Sequence, residues 1–150
     1  MKDLLNQLYQ GAKIIINGKE YIVKTKTWYS TEQDTSVSYV KCELSNEKIL
    51  VISPEDNFIS LGEIIDNMNY KRVSKEEIIY EDVTFKKTGE GNQFITKIEF
   101  GDKKHIEGKC IFEDYESENN VISLGILPDK ENKKADVYAE IIKIEDIEFK

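Results

Sequence analysis

Arginine is almost missing from this chain: Arg72 stands alone among 150 residues. Its planar fork is the preferred device for reading phosphates and base edges, and a duplex binder also needs a cationic footprint. With 29 Asp and Glu against 21 Lys and Arg, the formal charge is −8. Nucleic acid is therefore not an expected partner. Cysteine is scarce as well. Cys42 and Cys110 lie far apart, and no Cys-x-x-Cys pair exists. Two distant thiols and one histidine are poor material for a zinc site, so no metal is expected. Long hydrophobic runs are absent: Ile14-Ile15-Ile16 and Ile49-Leu50-Val51-Ile52 fall far short of the ~20 apolar residues that span a bilayer. The opening stretch Met1-Lys2-Asp3-Leu4-Leu5-Asn6-Gln7 lacks the continuous apolar core of a signal peptide. These absences predict a cytoplasmic chain with no transmembrane segment and with reduced cysteines. The excess of Lys, Ile, Asn and Glu over Arg, Ala and Pro is what an AT-rich bacterial genome produces.

Signatures of catalysis are also wanting. His105 is the only histidine, so a mechanism with a histidine base must use it. It lies between Gly101 and Gly108 with Asp102 and Glu107 nearby in sequence, which predicts a surface residue in or beside a hairpin turn. There is no Gly-x-Ser-x-Gly elbow, no His-Glu-x-x-His pair and no phosphate loop. Gly89-Glu90-Gly91-Asn92 is too short for such a loop and carries an acid. The run Glu113-Asp114-Tyr115-Glu116-Ser117-Glu118 lacks the spacing of a calcium loop. The expectation is a protein that is not an enzyme, with no catalytic residues and no cofactor. An enzyme built on His105 ranks last. Cys42 and Cys110 each alternate with apolar neighbours, and the expected role of each is a buried small hydrophobe.

What the chain does have is a self-echo. Glu55-Asp56-Asn57-Phe58-Ile59-Ser60-Leu61-Gly62 returns as Glu118-Asn119-Asn120-Val121-Ile122-Ser123-Leu124-Gly125, six of eight identical. Self-similarity at a fixed spacing predicts two related units. Lys41-Cys42 and Lys109-Cys110 form a second, weaker echo at a different spacing. The hydrophobic fraction of 39% suits a folded chain. Half-chains of this size are marginal alone, so the units should pack on each other.

Along the chain, Asp3 reads as the cap of a short helix with Leu4, Leu5, Leu8 and Tyr9 on one face, stopped by Gly11. Everything afterwards reads as strand. Ile14-Ile15-Ile16, then Asn17-Gly18, then Tyr21-Ile22-Val23 is a hairpin with the favoured two-residue turn, and its second strand extends to Tyr29. Residues 30–36 form a loop. Residues 37–44 alternate, with Val40, Cys42 and Leu44 on one face. Pro54 ends the strand at 49–52, and 58–65 closes the first unit. Ser74-Lys75-Glu76-Glu77 has capping-box form and predicts one helical turn. Further strands follow at 78–80, 83–87, 93–100, 109–115, 121–127 and 137–144, with loops at Gly89/Gly91 and at the charged run 129–134. The fold class is therefore mainly β: two related antiparallel β-meander or small-barrel units, residues 1–66 and 67–150, packed together behind a short N-terminal helix. One larger sandwich or barrel of about ten strands is the alternative.

The succession Ile15-Ile16-Asn17-Gly18-Lys19-Glu20-Tyr21-Ile22-Val23, then Trp28-Tyr29, then residues 39–44, then Ile49-Leu50-Val51 and Phe58-Ile59-Ser60-Leu61 resembles a bacterial β-domain family, often in two copies, catalogued as domain of unknown function 4178. The resemblance implies a β-rich fold and a non-catalytic or accessory role near membrane-stress or envelope genes. It departs from the family where tryptophans usually stand, around 38–44 and 49–52, and it transfers no site residues.

Three functions follow in order. The first is a protein-binding or assembly module whose partner is another protein, including an acidic, immunity- or antitoxin-like neutraliser of a basic toxin. The second is a small-ligand carrier with a pocket lined by Trp28, Tyr39, Phe94 and Phe100. The third is the His105 enzyme. A deep apolar cavity would favour the carrier, and a closed core with a flat acidic face would favour the module. Trp28 and Tyr29 cannot both face inward on one strand. The sequence sets no oligomeric state.

Overall fold

Asn17 and Gly18 both take positive φ, 50° and 82°, the mirror-image turn that matches strand twist. They join β1 (Lys13–Ile16) to β2 (Lys19–Ile22) with Ile16 opposite Lys19. This is the first hairpin of the computed structural model, which describes residues 1–31, 38–101 and 109–150. The helix α1 (Lys2–Gln7) precedes it and buries Leu4 and Leu5. It begins at Met1 rather than at an Asp3 cap and ends before Tyr9, which is 62% exposed. At the other end of the chain, β14 (Ile147–Phe149) pairs with β1 to complete a three-stranded sheet.

The remaining strands are β3 (Lys26–Thr31), β4 (Ser38–Glu43), β5 (Ile49–Ser53), β6 (Phe58–Ile64), β7 (Lys71–Arg72), β8 (Glu77–Tyr80), β9 (Val83–Phe100), β10 (Cys110–Glu116), β11 (Asn120–Leu127), β12 (Lys133–Lys134) and β13 (Val137–Ile142). Eight of them close on themselves in the order β3-β4-β5-β6-β13-β11-β10-β9, and β9 pairs back to β3. All these pairings are antiparallel, so the chain forms one eight-stranded barrel beside the small sheet. The two expected units are not present as two barrels. Strands from both sides of the 66/67 boundary share one ring. The reason is β9: its first half pairs with β10 and its second half with β3, which joins the halves of the chain edge to edge.

Several local expectations change with it. Gly89 and Gly91 do not make a loop; they lie within the 18 residues of β9, opposite Asp114 and Phe112. Gly91 has φ 150°, a backbone setting that other residues resist. Ser74 starts no helix. Val73 and Ser74 both donate their N–H groups to the Glu77 carbonyl, which turns β7 into β8. The strand from Tyr21 does not run to Tyr29. It stops at Ile22, because the Val23 and Lys24 N–H groups bond to Ala12 and Glu43 and hand the chain from the small sheet to the barrel. The expected loop at 30–36 begins later, since Ser30 and Thr31 belong to β3, and its remaining residues lie outside the described residues.

The sequence echo has a structural meaning. Its two copies lie on β6 and β11, the strands that flank β13. In each, Ile and Leu (Ile59 and Leu61, Ile122 and Leu124) point outward into apolar clusters, while Ser and Gly point inward. A Cβ at Gly62 would lie 2.6 Å from the Ala139 Cβ and the Tyr138 carbonyl oxygen. The echo is thus one solution used twice for a tight inner wall. Lys41-Cys42 and Lys109-Cys110 are different: Cys42 faces out of the barrel with Val40 and Leu44, while Cys110 faces in.

The main apolar core lies outside the ring. Val40, Cys42, Leu44, Leu50, Ile52, Ile59 and Ile142 form the outer face of the barrel wall, and Leu4, Leu5, Leu8, Ile14, Ile16 and Tyr21 cover it from the helix and small sheet. Lys26, buried, binds α1 to β9: its Nζ donates to the Leu5 carbonyl at 2.7 Å and pairs with Glu99 at 2.9 Å. A second outer cluster, with Ile78, Phe85, Tyr115 and Ile122, is covered by the β7–β8 arm. Arg72 of that arm donates to the Tyr115 hydroxyl at 2.9 Å.

The tight and hollow parts of the wall give opposite responses to added volume. Gly62→Val should destabilise by about 1–3 kcal/mol, whereas Gly89→Ala, where a Cβ meets nothing within 4 Å, should change stability by less than about 0.5 kcal/mol. Urea denaturation of both variants measures the difference.

Candidate functional site

An eight-stranded barrel is just wide enough either to fill with side chains or to hold one small molecule. Small residues decide for the second outcome. Ser53, Ser60, Ser123, Gly89, Gly125, Ala135 and Ala139 all face the interior, and they leave a cavity of about 530 Å³. Pockets for small molecules fall in this size range. The walls are apolar at Ile49, Val51, Phe58, Phe112, Val121 and Val137. The cavity extends to the barrel end bounded by the β5–β6 and β10–β11 turns, where Asp56, Glu116 and Thr31 line it and Asp56 is exposed.

A compact polar group interrupts the apolar wall: Lys41 and Tyr39 from β4, Cys110 and Asp114 from β10, Ser123 from β11 and Gln93 from β9. Strand alternation produces it. Tyr39 and Lys41 occupy one face of β4, and Val40 and Cys42 take the other to reach the outer core. Tyr29, directly opposite Tyr39 on β3, stacks on it with ring centroids 5.4 Å apart. The Lys41 Nζ stands over both rings, at 4.9 Å from the Tyr29 centroid and 5.8 Å from that of Tyr39. Protein encloses Lys41 and Asp114, and the surface each keeps faces the cavity. Asp114 Oδ1 accepts a hydrogen bond from Ser123 Oγ at 2.6 Å.

Burial sets the protonation of this group. Desolvation lowers the Lys41 pKa from the ordinary lysine value, against the opposing pull of Cys110 and Asp114. It raises that of Asp114, opposed by the Ser123 bond and by Lys41. It also raises Tyr39, with Asp114 and Cys110 adding to the effect, and it raises Cys110, with Lys41 opposing. Each group is pushed toward its neutral form. Cys42, in the outer core, is pushed up to about 12 by burial.

The four expected ligand-binding residues do not converge. Tyr39 lines the cavity. Trp28 lies on the outer face of β3, packs against the main core and donates its Nε1–H to Glu99 Oε1 at 3.4 Å. Phe100 packs on the same outer core. Phe94 is half-buried, on the face of β9 opposite to inward-facing Gln93. The Trp28–Tyr29 conflict is resolved with Tyr29 inside, fully buried. His105, Asp102 and Glu107 lie outside the described residues. Both cysteines are free and buried. The sequence reading missed Lys41, Asp114 and Ser123; the one available signal was the Ser-Leu-Gly echo, which marks two inward positions without a bulky side chain.

No protein-family model matches this chain, and neither does any curated protein or solved structure. The functional reading therefore rests on the geometry of the cavity.

Two outcomes check this description. Iodoacetamide at pH 8 should label the folded protein slowly and at Cys110 alone, with Cys42 reacting only after denaturation; peptide mass mapping reads the sites. Replacing Lys41 tests the desolvation. A lysine whose folded pKa is depressed destabilises the fold most below that pKa, and the penalty disappears as pH rises to the unfolded value. Lys41→Met should thus be more stable than the parent at pH 7, by a margin that shrinks toward pH 10.5 in urea titrations.

Proposed function

We propose that this protein is a small-molecule-binding β-barrel that holds a largely apolar ligand with one polar head in its interior. The observation that carries the reading is the cavity itself: about 530 Å³ within a closed ring, apolar along most of its wall, with one cluster of hydrogen-bonding groups around Lys41 and Asp114. Natural sequences fill small barrels with branched side chains unless the space is used. Here the inward positions carry Ser, Gly and Ala on neighbouring strands, and the stability that a filled interior would supply comes from the outer clusters instead. At about 30 Å³ per non-hydrogen atom, the space suits a ligand of roughly 15–20 such atoms. The apolar body lies against Phe58, Val51 and Val121, and the head meets Lys41 and Asp114.

Titration with the neutral apolar fluorophore N-phenyl-1-naphthylamine tests this. The parent should bind one equivalent with a blue shift. Val51→Trp, which fills the cavity from a position on its wall, should weaken binding at least about tenfold while far-ultraviolet circular dichroism is unchanged. Trp28→Phe, on the outer face, should bind as the parent does. Equal binding by the parent and by Val51→Trp would overturn the reading.

A further inference from the structure

Lys41 holds a position that its fold does not complete. Lys41 is half-buried, and among the described residues its amine makes no hydrogen bond and no close ion pair; its neighbours are the faces of Tyr29 and Tyr39. Buried ammonium groups are ordinarily given acceptors, as Lys26 is by Leu5 and Glu99 in this same protein. Lys41 instead opens onto the cavity. The second group of interest, Asp114, lines the same space, and Ser123 engages its Oδ1. Opposite Asp114, β9 carries Gly89, so no side chain occupies the space beside the carboxyl.

We infer that Lys41 captures an aldehyde-bearing ligand as a Schiff base, with the Asp114 carboxyl group as the proton carrier and then the counter-ion. This rests on the ligand-binding reading above and names the ligand class for the same cavity. The Lys41 Nζ lone pair attacks the carbonyl carbon, a C–N bond forms, and the C=O π pair moves to oxygen. That oxygen gains one proton from the Asp114 carboxylic acid and one from the nitrogen. Water leaves with the C–O bond pair as the nitrogen lone pair closes the C=N bond. One amine, one aldehyde and one carboxylic acid give one protonated imine, one water and one carboxylate, with no change of oxidation state. Buried lysines driven toward the neutral amine are the usual nucleophiles for this step, and the depressed basicity of Lys41 is of that kind. The protonated imine would sit over the same two tyrosine faces, which favour a cation. A carboxylate ligand fits less well, because it would add an anion to a space whose mouth already holds Glu116 and Asp56. An aldehyde enters uncharged.

The test uses the full chain with decanal and with cinnamaldehyde at pH 7.5, followed by cyanoborohydride reduction, intact mass and peptide mapping. The expected result is a single adduct on Lys41, formed at least tenfold faster than on any other lysine. It should be lost in K41R and V51W and slowed about tenfold or more in D114N. The peptide map of the parent decides the point even if K41R does not fold. Adducts spread over surface lysines with Lys41 unmodified, while N-phenyl-1-naphthylamine still binds, would overturn the Schiff base and leave the ligand-binding reading standing. Loss of both would overturn the two together.

Discussion

The double pairing of β9 is the constraint on which the rest depends. A strand of ordinary length has one partner on each edge over the same residues. β9 runs for 18 residues and uses them in successive stretches, with β8 along 83–86, β10 along 86–93 and β3 along 93–100. That offset converts a meander into a ring and removes the open edges that a sheet of this size would otherwise expose. Register shifts at Asp114/Tyr115, Lys26/Thr27 and Trp28/Tyr29 accompany it, as bulges do where strands must bend. Closure also fixes the number of strands at eight, and with it an interior whose width is comparable to a pair of side chains.

Closure divides the molecule into two environments with different duties. Outside the wall, the helix, the small sheet and the β7–β8 arm bury the large aliphatic and aromatic side chains, which is where the free energy of folding is gained. Inside, a smaller apolar cluster around Tyr29, Cys110, Leu127 and Ala135 and the apolar wall residues leave a space where serines, glycines and alanines line the ring. A protein organised this way can retain a lysine and an aspartate in a low-dielectric space although their desolvation is unfavourable, since the outer clusters offset that penalty. The same division explains why the interior is hollow: inward Ser60 of β6 and Ser123 of β11 could be small without weakening the main core, because that core lies outside the ring.

The chemistry of the cavity follows from enclosure more than from any single residue. Lys41, Asp114, Tyr39 and Cys110 are ordinary side chains, and on an open surface each would keep its usual acidity. Within the ring burial pushes each toward its neutral form, lowering the Lys41 pKa and raising that of Asp114. The tyrosine faces beneath Lys41, together with the nearby Cys110 and Asp114, favour its cation against that desolvation.

Period-two alternation, the Asn17-Gly18 turn and Pro54 were enough to read the strands, the first hairpin and the β class from the chain alone, because those signals act between residues close in sequence. The Ser-Leu-Gly echo was legible too, but its meaning was not. It indicated two related units, and it is in fact one wall motif set on both sides of β13. Alternation says which residues share a face and is silent on which face is enclosed. Val40, Cys42 and Leu44 share one face and form the outside of the barrel wall, while Tyr39, expected at a pocket, and Lys41, not singled out, line the cavity from the other face. The faces of a strand were determined locally by the pleat. Inside and outside were decided by ring closure, in which β9, already paired with β10, also pairs with β3 across 62 to 74 residues of chain, and only that closure brings Lys41 and Asp114 into one space.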